Sequence, residues 1–388
     1  MIFTSESVTV GHPDKLCDQI SDAAIDAFLR HDPGARAVVE CAMATGVVFL
    51  AARFAADAVV DLPALARSII ADAGYVGEQF NARNCSILTS IGDLPMETRE
   101  PIPAVLDDEL IERHAAHEQA NVFGYACRDT AALMPMPISL AHRLARAIDD
   151  ARRGNMNWLS PDAKTQVSVL YRDGRPVRIH GVTITTAVDS GVSEGDPQYG
   201  LRAIAVDALR DCELGPDRET EIQVNAGGIY EIGGPARHAG LTGRKNGIDT
   251  YGEIARQSGA ALSGKDPSRI DRVGAYAARH AAKNVVAAGL AERCEVHLAY
   301  SIGRARPISL SVQTFGTGRI GDDKIEKRLA ALLDFRPLAI VHRFALRTRP
   351  ATSGEGGFYR PLATYGHFGR TDLDLPWEAT DVADALRK

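Results

Sequence analysis

An excess of charge of either sign is missing from this chain: 44 Lys and Arg stand against 50 Asp and Glu, a formal net charge of -6 at pH 7. That balance gives no general attraction to nucleic acid or to an anionic membrane, so any anion must be held by a local group of cations. Cysteine is sparse too. Cys17, Cys41, Cys85, Cys127, Cys212 and Cys294 are scattered over 388 positions with no CxxC pair. Such usage argues against a zinc or disulfide framework and predicts reduced thiols in a cytoplasmic protein. No apolar run approaches the ~20 residues needed to span a bilayer. The opening residues, Met-Ile-Phe-Thr-Ser-Glu, have neither the basic nor the apolar stretch of a leader peptide.

What remains is ordinary for a globular chain: 45% hydrophobic and 24% charged residues. At this length more than one core is expected, so two or three domains. Leu16, Ile20, Ala23, Ala24, Ala27 and Phe28 fall on one face of a helix over 14–30. Residues 37–54 read as a hairpin turning at Thr45-Gly46, and 61–74 as a short amphipathic helix. Residues 92–110, rich in Pro, Glu and Asp, read as a mobile loop. Helices are predicted over 138–152, 199–211, 273–288 and 322–334. Strands are predicted near 165–171, 177–188, 220–225, 294–302 and 308–315. This recurring order of strand pair, helix and strand predicts an α+β fold with helices on one face of each sheet.

Four segments carry the chemistry. They are Gly11-His-Pro-Asp-Lys15, Gly233-Gly-Pro235, Gly240-Leu-Thr-Gly-Arg-Lys245 and Ser263-Gly-Lys-Asp-Pro-Ser-Arg-Ile-Asp-Arg272. Gly233-Gly-Pro235 aside, they mix glycine with charged groups, a composition suited to polyphosphate and divalent metal. The first lies where a loop enters a helix, where free N–H groups favour anions. Gly259-Ala-Ala-Leu-Ser-Gly-Lys265 fits seven positions of a P-loop, but the eighth is Asp266 where Ser or Thr should stand. His114, His117 and Glu118 miss both spacings of zinc-peptidase helices, and the histidines read as surface groups.

In this order the four segments resemble the S-adenosylmethionine synthetase (methionine adenosyltransferase) family, over nearly the whole chain. The resemblance implies three similar α+β domains around a pseudo-threefold axis, placed at 1–98, 112–230 and 231–370. It implies transfer of the 5′-adenosyl group of ATP to methionine, with triphosphate leaving and then being hydrolysed to phosphate and pyrophosphate. Lys164, Arg244, Lys245, Lys265 and Arg269 match positions that contact the triphosphate, with Lys15 and Gly264 in the same motifs. His12 matches the histidine beside the reacting bond, Asp162 an acid near the nucleotide, and Tyr230 an aromatic that packs on adenine. Asp14 and Asp271 match ligands for two Mg²⁺ ions, and Glu40 matches the glutamate of a K⁺ site. A homodimer or tetramer is implied, with Asp14 and Asp271 of one site coming from different chains.

The pattern breaks in places. Ala115-Ala-His-Glu-Gln-Ala120 lacks the family's three glycines and lengthens its acid, and is expected to be helical. Leu94 stands where the family's gating loop has a methionine-contacting Gln. Arg53 and His238 replace two acids that bear on methionine's ammonium group. Next to Ser301-Ile302-Gly303, Arg304 and Arg306 replace an apolar and an acidic residue. Cations near a bound ammonium repel it, which raises an alternative: a nucleophile that lacks an ammonium group or is anionic, or water. A catalytically silent ATP-binding regulator is a further alternative.

Overall fold

The computed structural model describes residues 1–388 except Gln79, Pro101, Ala104 and Glu194. In chain order the elements are β1 (Ile2–Val8), α1 (Pro13–His31), β2 (Arg36–Ala44), β3 (Val47–Ala55), α2 (Leu62–Asp72), β4 (Ser86–Asp93), α3 (Asp108–Arg113), β5 (Ala120–Cys127), α4 (Met136–Arg153), β6 (Leu159–Arg172), β7 (Arg175–Val188), α5 (Gly195–Arg210), β8 (Glu221–Val224), β9 (Gly240–Leu241), α6 (Asn246–Asp249), α7 (Ile270–Ala287), β10 (Arg293–Tyr300), β11 (Ser309–Gln313), α8 (Asp322–Leu332), α9 (Pro337–Arg343), α10 (Arg349–Thr352) and α11 (Ala383–Arg387). The fold is α+β. None of the described helices is long and apolar enough to cross a membrane.

The strands form three sheets, in the orders β1-β6-β7-β8, β11-β10-β5 and β4-β3-β2-β9. Each sheet takes a strand from a distant part of the chain: β1 pairs with β6, β5 with β10, and β9 with β2. Helices α4 and α5 pack on the first sheet, α7 and α8 on the second, and α1 and α2 serve the third. In β2, Ala37, Val39, Cys41 and Met43 are buried while the alternate residues are not, the period-2 pattern of a sheet with one covered face.

Helix α1 is the central element. Sixteen of its 19 residues are buried, because the segment 349–363 covers the side turned from the sheet. Asp26 holds that segment by accepting hydrogen bonds from the backbone N–H groups of Phe358, Tyr359 and Arg360. Burial raises its carboxyl pKa to about 6 although those three donors oppose the shift.

One expectation fails outright. Residues 115–119 are not helical: α3 ends at Arg113 and β5 begins at Ala120. The Ala-rich stretch has helical propensity, but tertiary pairing overrides it. Ala116 donates its N–H to the Arg304 carbonyl at 2.9 Å and accepts from Gly303 N–H at 3.0 Å. Residues 92–110 carry local structure where described, a 3-10 turn at Met96–Thr98 and the start of α3.

Candidate functional site

The first cluster is built at the N-terminus of α1. Pro13 is the first helical residue, and the His12 side chain caps the helix by accepting from Asp14 N–H at 3.2 Å. The loop is pressed onto the turn that carries Asp162: a Cβ at Gly11 would lie 2.3 Å from Pro161 Cβ. Tyr75 Oη donates to the Gly11 carbonyl at 2.6 Å. Gly234, at φ +63°, would place a Cβ 2.0 Å from that same Tyr75 oxygen, so both glycines are required for close approach. Gly234 N–H and His238 Nε2 both bond Asp162 Oδ2, at 2.9 and 2.7 Å. The rings of His12 and His238 lie 4.9 Å apart.

Burial drives the His12 pKa down to about 3. The Asp162 charge opposes this, while Lys245, His238 and Lys164 reinforce it. His12 is therefore neutral, and because Nδ1 accepts, its proton sits on Nε2. That Nε2 has no hydrogen-bond partner among the described residues. Burial works against the charged form of Asp162, but hydrogen bonds from His238 and from Gly234 N–H favour it, and the pKa lies below the usual carboxylate value.

Asp14 faces the same space. Its Oδ1 accepts from Leu241 N–H at 3.0 Å and lies 3.6 Å from the half-exposed Arg244. Lys245 pairs with Glu6 at 3.0 Å, and Lys164 projects, exposed, from β6 beside β1. Lys15 is placed differently. Its ammonium is wholly buried between Asp18, at 2.8 Å, and Asp249, so it anchors α1 from behind and does not face the cluster. Coulombic attraction to these partners outweighs burial and pushes its pKa up; Asp249 is raised by burial to about 7.

The second cluster surrounds the start of α7. Gly264, at φ +78°, accepts a backbone hydrogen bond from Val39 N–H at 2.8 Å, and its own N–H donates to Asp22 at 2.8 Å. That bridge puts Lys265 beside Val38 on β2. Lys265 Nζ meets Asp271 at 2.6 Å, and Arg269 pairs with Glu118. Lys265, Asp271, Gln119 and Ser301 share the wall of a cavity of about 460 Å³. Glu40 projects, exposed, from β2 between the two clusters.

No ion pair or hydrogen bond joins the two clusters among the described residues. Two rulers give their separation. The first cluster meets β2 at Ala42 through Leu241, the second at Val38, four residues or about 13 Å apart. On α1 they lie at Asp14 and Asp22, eight residues or about 12 Å apart. Within one chain, Asp14 and Asp271 thus belong to clusters with separate anchors on α1 and β2.

The residues expected at the altered nucleophile pocket, Arg53, Leu94, His238 and Ile302, are spread out. His238 belongs to the first cluster. Arg53 lies opposite Val38, near the second, and Leu94 donates its N–H to Phe54 next door. Ile302 is exposed in the turn after β10. One face of the Tyr230 ring is taken by the Arg237 guanidinium, 4.5 Å from the centroid. The contributions of Glu6, Tyr75 and Asp249 carry no motif, and pairing over more than 200 residues hides two of them. Glu118 was legible as an acid at a motif position and is brought to the site by its Arg269 pair.

Three family models cover nearly the whole chain: the S-adenosylmethionine synthetase N-terminal domain over residues 1–94, the central domain over 113–230 and the C-terminal domain over 232–379. The chain belongs to the S-adenosylmethionine synthetase family. Among curated relatives, the S-adenosylmethionine synthase of Rippkaea orientalis is 44% identical over 405 residues, covering 100% of this chain and 96% of that protein. Those of Crocosphaera subtropica and Synechococcus elongatus are 45% and 44% identical, each with 97% of its own length covered.

Proposed function

We propose that the chain makes S-adenosylmethionine: the methionine sulfur attacks C5′ of ATP in line, the C5′–O bond breaks, and triphosphate departs with the electron pair. Water then cleaves the triphosphate to phosphate and pyrophosphate. The observation that carries this reading is the neutral, buried His12, whose Nε2–H has no hydrogen-bond partner among the described residues and whose ring feels the charges of Lys245 and Lys164. Such a fixed donor stabilises charge growing on a leaving oxygen with little reorganisation. The surrounding cations neutralise a polyphosphate, and the buried, hydrogen-bonded frame fixes the approach of the two reactants.

Methionine is the nucleophile the relatives favour. The repulsion expected from His238 is softened in the structure, because its ring is bonded to the Asp162 carboxylate at 2.7 Å. Mg²⁺ suits these residues: Asp14 and Asp271 offer hard carboxylate oxygens beside Arg244 and Lys265, cations able to hold the phosphate oxygens that Mg²⁺ would share. When bound, Mg²⁺ neutralises and orients the triphosphate. Glu40, exposed and carrying no ion pair among the described residues, is the residue that would hold K⁺.

The working unit is a homo-oligomer with shared sites. The two clusters that carry Asp14 and Asp271 are anchored on α1 at Asp14 and Asp22, about 12 Å apart, and no hydrogen bond or ion pair among the described residues joins them. On the open face of the third sheet, Phe49, Leu88 and Leu241 lie along one rung with Ala42 between, and Val47 lies beside them. These four are 42–55% exposed. A second copy against this face covers the patch and brings its second cluster toward the first cluster of its neighbour.

The test is mass spectrometry of purified protein with ATP, Mg²⁺ and K⁺, with and without methionine, together with phosphate and pyrophosphate release. S-adenosylmethionine in methionine-dependent amounts supports the reading. Triphosphate cleavage without that product overturns it.

A further inference from the structure

His12, Asp162 and His238 form the one group of three such residues, among those described, whose ligand atoms all lie within 4.8 Å of one another. Two imidazoles and a carboxylate are a donor set for late first-row divalent ions, and a poor one for Mg²⁺, which wants oxygen ligands. Two atoms at this point lack a hydrogen-bond partner among the described residues: His12 Nε2 and Asp162 Oδ1. Both side chains are more than nine-tenths buried, at 2% and 8% exposure. A buried polar atom with no partner carries a desolvation cost that a metal bond would remove. His238, with 29% of its side chain exposed, forms the open side through which an ion enters.

We propose that these three residues form an inhibitory site for Zn²⁺ or a similar imidazole-seeking divalent ion, distinct in ligand chemistry from the carboxylate sites for Mg²⁺. His12 Nε2, His238 Nε2 and an oxygen of Asp162 are the ligands, and water or a phosphate oxygen completes a four-coordinate shell; His238 gives up the Nε2–H···Asp162 hydrogen bond and as a neutral ligand holds its proton on Nδ1. Ligation of His12 through Nε2 shifts its ring proton to Nδ1. Asp14 Oδ2, 3.9 Å from Nδ1, is the acceptor at hand, a carboxylate–histidine–metal arrangement. The shift gives up the long 3.2 Å capping bond from Asp14 N–H. Lys164 and Lys245 lie near enough to act on His12 and oppose a divalent charge. Glu6 already pairs Lys245, and an anionic fourth ligand would answer the remainder.

The inhibitory consequence rests on the proposed role of His12: an ion on Nε2 removes the proton that the leaving oxygen requires. The binding claim does not depend on that role. The experiment uses full-length protein stripped of metal, dialysed against Zn²⁺ and analysed for bound metal, with Co²⁺ as a spectroscopic probe. One equivalent of Zn²⁺ is expected to survive excess Mg²⁺. Co²⁺ should show the intense visible bands of a low-coordinate site. His238→Asn should weaken that equivalent by at least ~100-fold, while His180→Asn, at an exposed histidine of β7, leaves it unchanged. Thermal melting of both variants reports whether they are folded. Retention of the equivalent in folded His238→Asn, or no equivalent at all in the parent protein, overturns the site. In a second arm, Zn²⁺ suppresses S-adenosylmethionine formation at saturating Mg²⁺ and methionine, and His238→Asn raises the concentration needed at least tenfold. A protein that binds the equivalent but makes no S-adenosylmethionine keeps the metal site and loses the proposed function; inhibition equal in both forms overturns the inhibitory role.

Discussion

His12 concentrates the chemistry at the residue scale, because burial leaves it neutral and its capping bond decides which nitrogen holds the proton. His12→Asn keeps an oxygen able to cap α1 and removes the Nε2 donor. The expected result is a loss of about 10²–10³ in kcat, with KM and melting temperature little changed. A matched fall in stability would make His12 structural. With its folded pKa near 3, below the unfolded value, the ring opposes folding progressively as pH falls from about 6.5 toward 3. Its contribution is constant above that window. The ring resonances of His12, followed by NMR in selectively labelled protein, are expected to stay fixed between pH 5 and 8; a midpoint near 6.5 would contradict the burial account. Lys15 shows where a motif reading stops. Its place in Gly-His-Pro-Asp-Lys suggests a phosphate contact, yet its ammonium is sealed between Asp18 and Asp249, and only the fold reveals a partner 234 residues away.

Individual helices and hairpins were largely legible as elements. α1, α4 and α7 announce themselves by apolar spacing, and the β2–β3 hairpin by alternation about Thr45-Gly46. Pairing was not legible, because local pattern carries no information about which strands meet. β1 finds β6 some 160 residues later, and two-residue β9 is a strand only because β2 lies beside it. The 115–119 segment went wrong for a related reason, since the Arg304 turn that unwinds it lies far along the chain. Two element-level predictions follow from packing. Removing the Lys15 ammonium leaves Asp18 and Asp249 buried without their cation, so Lys15→Met should cost about 3–5 kcal/mol in urea unfolding. A loss under 1 kcal/mol would show that Asp249 simply takes up a proton. At Gly264 an added Cβ meets the Val39 carbonyl at 2.1 Å in a backbone conformation L-residues rarely adopt. Gly264→Ala is expected to cost at least about 1–3 kcal/mol and to detach the Lys265 loop from β2, read as faster hydrogen exchange at Val39.

At the scale of the whole molecule, one chain presents two half-sites, an apolar rung at the Leu241 end of the first and, among the described residues, no hydrogen bond or ion pair that joins the two. The account is that S-adenosylmethionine is made where the Asp14 cluster of one copy meets the Asp271 cluster of another. Mixing decides this most directly. Asp14→Asn and Asp271→Asn are each expected to be nearly inactive alone. After equal amounts are dissociated and reassociated, half the dimers are mixed. In each mixed dimer one site holds both substitutions and the other holds neither. S-adenosylmethionine formation should therefore recover to about a quarter of the parent rate. A mixture as inactive as its two components would mean that each chain completes its own site, and would contradict the account.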